Sequence, residues 1–167
     1  MNPLGELLGF PAGRLESVIA SLTDRQETVA TAESLTAGLV LAALTSVPGS
    51  SAVVRGGFVV YATELKWGLA GVDPALLAER GAVDPDVAVQ LAIGARDRCG
   101  ASWGLGLTGV AGPDSQDGVE PGTVHIGIAG SGSVNVSTVT VTGDRHEVRA
   151  AAVRTAVDLL AGRTTAP

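Results

Sequence analysis

Residues 28–46 read TVATAESLTAGLVLAALTS, and this stretch sets the structural class of the chain. Thr28 to Thr31 is a short strand candidate, β-branched at Thr28, Val29 and Thr31. Ala37 to Thr45 reads as a helix, with Glu33-Ser34-Leu35-Thr36 between the two. Ser34 or Thr36 fits the N-cap of that helix. A strand that passes within a few residues into a helix is the unit from which α/β folds are built.

The alternation continues on both sides. Residues 1–10 read as a short arm or a brief helical turn. Pro11 to Thr23 carries Leu15, Val18, Ile19 and Leu22 at helical spacing. Val47-Pro48-Gly49-Ser50-Ser51 is a turn, and Val53 to Tyr61 reads as a strand. Thr63 to Leu69 is a short helix, and Asp73-Pro74 starts another that ends near Arg80-Gly81. Asp84 as N-cap and Pro85 at the first position open a long helix to Arg98, with Gly100 as its stop. Trp103 to Thr108 is a strand, and Asp114 to Gly122 a polar loop. Thr123 to Ala129 and Asn135 to Val141 form a hairpin. Thr142-Gly143-Asp144 caps a last helix to about Leu160, and the tail from Thr164 to Pro167 reads as frayed. No repeat or linker interrupts the chain. The expectation is one α/β domain over residues 1–167, with an ordered core at about 11–162. It is a three-layer α/β/α sandwich around a mixed sheet.

Composition narrows the function. The 167 residues are 46% hydrophobic and 17% charged, which describes a globular chain. Aromatics are 3% and glycines number 23, so the core is expected from Ala, Val, Leu and Ile with many close backbone approaches. The net charge of −6 argues against nucleic acid as a partner, because neutralising phosphates needs a basic face. The single cysteine, Cys99, fits a reducing compartment and reads as a small buried core residue. The start, MNPLGELLGF, lacks the basic-then-apolar pattern of a leader. No run reaches the roughly 20 apolar residues of a membrane span, so a cytoplasmic protein is expected. His125 and His146 stand without partners at ligand spacing, and Asp114 and Asp117 read as a solvated turn; no metal and no cofactor is expected.

The chemistry rests on scarcity. Of eleven Lys and Arg residues, one is lysine: Lys66. Arginine keeps its proton at any usable pH, whereas a desolvated lysine releases it. Leu65, Trp67 and Leu69 surround Lys66 with apolar groups. A free lysine titrates near ~10.4, so work as a base needs about two to three units of depression, which burial supplies. A surface position where either cation would serve is the plain alternative. Tyr61, the only tyrosine, stands five residues earlier, where its hydroxyl could orient or assist the base or simply fill a half-buried strand position. Ser34, at the strand-to-helix junction, is the candidate nucleophile, with backbone N–H groups of the 34–37 turn as oxyanion donors. Helix capping explains Ser34 and Thr36 equally well, and Glu33 fits either a substrate contact or an anchor for nearby backbone. Gly104 to Pro113 follows a strand, where α/β sheets line ligand crevices. It is neither a Walker phosphate loop nor a clean dinucleotide fingerprint.

Taken in order, these segments resemble the CinA C-terminal domain family. Thr31 to Gly38, TAESLTAG, resembles its TAESCTGG; Val47 to Ser51 resembles the turn that follows. Gly57 to Lys66, GFVVYATELK, is similar to GGxVxYSNEAK, and Gly81-Ala82-Val83 to part of HGAVS. Leu107 to Pro113, LTGVAGP, resembles ITGIAGP, with GTV at 122–124 and GDR at 143–145. Leu35 stands where the family has Cys, Ala37 where it has Gly, and Ala62-Thr63 where it has Ser-Asn. Glu120-Pro121 precedes Gly122 in place of Lys-Pro-Val. The resemblance implies a stand-alone nicotinamide mononucleotide deamidase, an amidohydrolase of the pyridine nucleotide cycle that yields nicotinic acid mononucleotide and ammonia. It implies a Ser–Lys mechanism on Ser34 and Lys66 with Tyr61 nearby. Glu33, Thr36, Thr108, Gly109, Gly112 and Arg145 are the expected substrate contacts, Arg145 for the phosphate. A small pyridine nucleotide is the expected partner, and a homodimer the expected assembly. The alternative is a catalytically silent nucleotide-binding or competence- or damage-related interaction module of the same fold.

Overall fold

The 28–46 stretch does form a strand and a helix, β1 (Val29–Glu33) and α3 (Leu39–Thr45), within a computed structural model that describes residues 2–164. β1 is buried along its whole length because strands flank it on both sides and helices cover both of its faces. The other strands are β2 (Val54–Val59), β3 (Trp103–Gly109), β4 (Thr123–Gly130) and β5 (Ser133–Thr140). Their order across the sheet is β2-β1-β3-β4-β5. β1 runs parallel to β2 and β3; β3, β4 and β5 are antiparallel neighbours. The sheet is mixed, as the alternating strands and the terminal hairpin predict.

The remaining helices are α1 (Pro3–Leu7), α2 (Arg14–Asp24), α4 (Thr63–Gly68), α5 (Pro74–Arg80), α6 (Pro85–Cys99) and α7 (Arg145–Thr164). Side chains alternate across a strand, so each strand serves two faces. Leu105, Leu107, Val124, Ile126 and Ile128 point to one face and pack with the apolar stripes of α2, α3 and α7. Gly104, Gly106 and Gly127 point to the other, where α6 lies against the sheet. A methyl group on Gly106 or Gly127 would overlap the Ala88 carbonyl of α6, and one on Gly104 the Ala92 carbonyl. The glycine-rich composition is thus a requirement of helix-to-sheet contact at backbone distance.

The helix starts follow their sequence signals. Asp84 accepts from the Asp86 N–H and Asp73 from the Ala75 N–H, both at 2.8 Å. Gly100 takes the left-handed conformation at φ 60°, ending α6. Several expectations are corrected. The core extends before residue 11, because Leu8 and Phe10 are buried with α2 and α7. It also extends beyond residue 162: Thr164, expected in a frayed tail, is helical and buried, while 165–167 lie outside the described residues. Cys99 is half-buried at the edge of the α6 core, and burial pushes its thiol pKa up. Among the described residues no helix is long and apolar enough to cross a membrane.

Candidate active site

Because β1 and β3 are parallel neighbours, their C-terminal ends open side by side, the usual place for a ligand crevice in such sheets. Ser34 is the first residue beyond β1, and its N–H donates to the Leu107 carbonyl at 3.1 Å. Ser34 and the residue before it face opposite ways. Glu33 points into the aliphatic side and is fully buried. Its carboxylate accepts from the Thr36 hydroxyl (2.7 Å) and from the N–H groups of Gly38 (3.0 Å), Val40 (3.1 Å) and Leu41 (2.9 Å). A buried carboxylate needs such donors, and the first turn of α3 needs such an acceptor.

This corrects two expectations. Glu33 caps α3, so neither Ser34 nor Thr36 does, and α3 begins after Gly38, at φ 92°. Glu33 and Thr36 are buried behind the wall of the crevice and do not line it. Relieved of capping, the Ser34 hydroxyl points the other way, to Lys66.

Lys66, on α4, is 2% exposed. Its Nζ donates to the carbonyl oxygens of Val60 (2.9 Å) and Tyr61 (3.4 Å) and lies 3.1 Å from Ser34 Oγ. It forms no ion pair among the described residues. Burial lowers its pKa to about 8, against a smaller upward pull from the Glu64 carboxylate. A neutral amine with its two hydrogens on the two carbonyls turns its lone pair toward the third neighbour, the Ser34 hydroxyl. That is the geometry of a nucleophile and its base.

The crevice encloses about 460 Å³ and is lined by Ser34, Lys66, Thr108, Gly109, Gly112 and Arg145 among others. Thr108 donates its hydroxyl to the Ala82 carbonyl at 2.6 Å, which ties β3 to the segment entering α6. Arg145, at the start of α7, donates to the Gly112 carbonyl and to the Tyr61 hydroxyl, each at 2.9 Å. The Tyr61 hydroxyl is therefore turned to Arg145, and only the Tyr61 carbonyl reaches the Lys66 amine. The expected assistance to the base through that hydroxyl is not the arrangement found.

Some lining residues were not expected. Asp114, Ser115 and Gln116 border the crevice where a solvated turn was read, and Ala82 and Val83 form another side. The Gly81-Ala82-Val83 match was the available signal for the latter. Arg149 reaches from α7 to the carbonyls of Leu35 (2.9 Å) and Thr36 (3.2 Å), holding the Ser34 turn from behind. Its sequence signal was its place four residues after Arg145, on the same helix face.

Residues 13–164 match the family described as the CinA C-terminal domain. A CinA-like protein of Frankia casuarinae is 48% identical over 143 residues, covering 86% of this chain and 33% of that protein. The chain thus spans about a third of the length of such curated relatives. The crystal structure of the competence/damage inducible protein CihA from Agrobacterium tumefaciens superposes with a TM-score of 0.86 at 37% identity, covering 92% of this chain and 96% of that one. A competence-damaged protein (CinA) superfamily structure from Enterobacter cloacae gives 0.87 at 28% identity, over 91% and 90% of the two chains.

Proposed function

The chain belongs to the CinA C-terminal domain family, and on that premise we propose that it hydrolyses the carboxamide of nicotinamide mononucleotide in the cytoplasm. The observation that carries the reading is the buried Lys66 amine, 3.1 Å from Ser34 Oγ and without a carboxylate partner among the described residues. At pH 7 a group titrating at about 8 is neutral in about a tenth of molecules, enough for a working base.

Neutral Lys66 takes the Ser34 proton as Oγ bonds to the amide carbon, and the carbonyl electrons move onto oxygen. Collapse of that oxyanion breaks the carbon–nitrogen bond. The proton on Lys66 passes to the leaving nitrogen, and ammonia departs. Water, deprotonated by the same amine, then cleaves the Ser34 ester to release the carboxylate and restore the hydroxyl. Arg145 uses two of its donors on Gly112 and Tyr61 and keeps others for the nucleotide phosphate at the crevice mouth.

The test is ammonia release from nicotinamide mononucleotide by the purified protein, beside Ser34→Ala. The wild type is expected to turn over, and the variant to lose at least about a thousandfold in kcat. Wild-type turnover by the variant removes the nucleophile assignment. Thermal stabilisation by the nucleotide with no ammonia from the wild type would identify a binding module instead.

A further inference from the structure

The oxyanion in that reaction needs donors, and most of the turn around Ser34 has none to give. The Ser34 N–H is held by the Leu107 carbonyl, the Ala37 N–H by the Ser34 carbonyl, and the Gly38 N–H by Glu33. The end of β3 offers another. Along the β1–β3 ladder, Trp103 N–H donates to the Thr28 carbonyl at 2.8 Å, and the register keeps that offset to Glu33 opposite Leu107. The next rung would join Gly109 N–H to the Ser34 carbonyl. It is not made, because that carbonyl turns away to accept from Ala37 at 3.0 Å. Val110 N–H, on the opposite side of the strand, donates to Thr123 at 2.9 Å. Gly109 N–H therefore faces the β1 side, where Ser34 sits, and has no partner among the described residues.

We propose that the Gly109 N–H, together with the Leu35 N–H, forms the oxyanion hole of this site. Leu35 follows the nucleophile. The peptide joining it to Ser34 is trans, so its N–H points opposite to the Ser34 carbonyl and away from the inside of the turn. Arg149, clamping the Leu35 and Thr36 carbonyls, fixes that orientation. Both Leu35 and Gly109 line the crevice. Glycine is needed at 109 because a Cβ there would crowd the Thr123 carbonyl (2.7 Å) and Val124 (3.1 Å to Cγ2). As Ser34 Oγ bonds to the carbon, the former carbonyl oxygen receives the electron pair and both N–H groups donate to it until the leaving group departs. The proposal rests on the amide hydrolysis above.

The experiment is Gly109→glycolic acid, introduced by suppressor tRNA, which exchanges the N–H for an ester oxygen and leaves the side chain unchanged. The expected result is a loss of about a hundredfold in kcat with KM nearly constant, since the oxyanion exists only beyond the ground state. A folded ester variant with wild-type kcat overturns the proposal. Should the ester not fold, the ¹⁵N-labelled wild type decides with the 3-pyridinecarboxaldehyde analogue of the nucleotide, which Ser34 converts to a hemiacetal. Downfield movement of the Gly109 and Leu35 amide protons supports the hole, and an unmoved Gly109 proton at saturation overturns it. Wild-type protein that releases no ammonia sinks the hydrolysis itself, and this assignment with it.

Discussion

The two faces of the sheet are packed by opposite means. On the α2/α3/α7 face, Leu105, Leu107, Ile126 and Ile128 fill space with aliphatic side chains against other side chains. On the α6 face, Gly104, Gly106 and Gly127 bring strand backbone against helix backbone, and Gly94 of α6 does the same to the Ala70 carbonyl beneath α4. Side chains can shift when a neighbour changes; backbone carbonyls within a helix can hardly shift at all. The rigid face is also the one that carries the Ser34–Lys66 pair. Thr108, two positions beyond Gly106, reaches Ala82 because α6 lies so close, and Lys66 enters from α4 on that same side. Preorganised groups are what the proposed amide hydrolysis requires.

The contrast is tested most strongly at Lys66. Lys66→Met should lower turnover at least about a thousandfold while raising the melting temperature at pH 7. The sign follows from the pKa. The folded value of about 8 lies below the ordinary 10.5, so burial disfavours the charged form. Below pH 8 folded and unfolded chains both hold the proton, and the fold bears the full cost of burying it. Between 8 and 10.5 the folded chain has shed the proton that the unfolded chain keeps, so stability from this group rises with pH. Wild-type kcat/KM should accordingly climb about tenfold per pH unit and level off above about 8. Turnover retained by Lys66→Met, or a flat profile from pH 6 to 8, would place the base elsewhere.

A second comparison sets one added methyl against three removed carbons. Gly106→Ala should cost about 4 kcal/mol or more, because its Cβ meets the Ala88 carbonyl and the Ala92 nitrogen. Leu107→Ala, the next residue on the aliphatic face, should cost about 3 kcal/mol by leaving a cavity. Folded Leu107→Ala should keep its kcat. Denaturant melts of both variants check this, and a milder effect at Gly106 than at Leu107 would break the contrast between the faces.

The smallest effect is expected at Ala37, which adopts φ 49° between Ser34 and α3. Ala37→Gly relieves left-handed strain of about 1–2 kcal/mol and adds some unfolded-state entropy, for a net gain of about 0.5–1 kcal/mol. A thermal melt reads it. Destabilisation would mean that the turn is held without strain.

Much of this was legible before any coordinates. Asp73, Asp84, Pro85 and Gly100 announced helix ends through local backbone chemistry, and the terminal hairpin announced antiparallel strands. The lone lysine among ten arginines marked the candidate base, since a group that must lose its proton cannot be arginine. Glu33 was ambiguous for a physical reason. A carboxylate one residue before a candidate nucleophile looks the same whether it faces ligand or backbone, and only the alternation of β1 sends it to the aliphatic side. Tyr61 was misplaced because five residues of spacing to Lys66 do not reveal that Arg145, eighty-four positions away, takes its hydroxyl.

Local pattern and residue chemistry were enough for the α/β class and for the ends of α5 and α6, and they put Ser34 and Lys66 forward as candidates. These depend on neighbours within a few positions and on which side chains can exchange a proton. The unmade rung at Gly109, the clamp from Arg149 and the glycine-to-helix contact on the α6 face had to wait for the folded chain. Each joins segments far apart in sequence, and its energy comes from a distance that no single segment encodes.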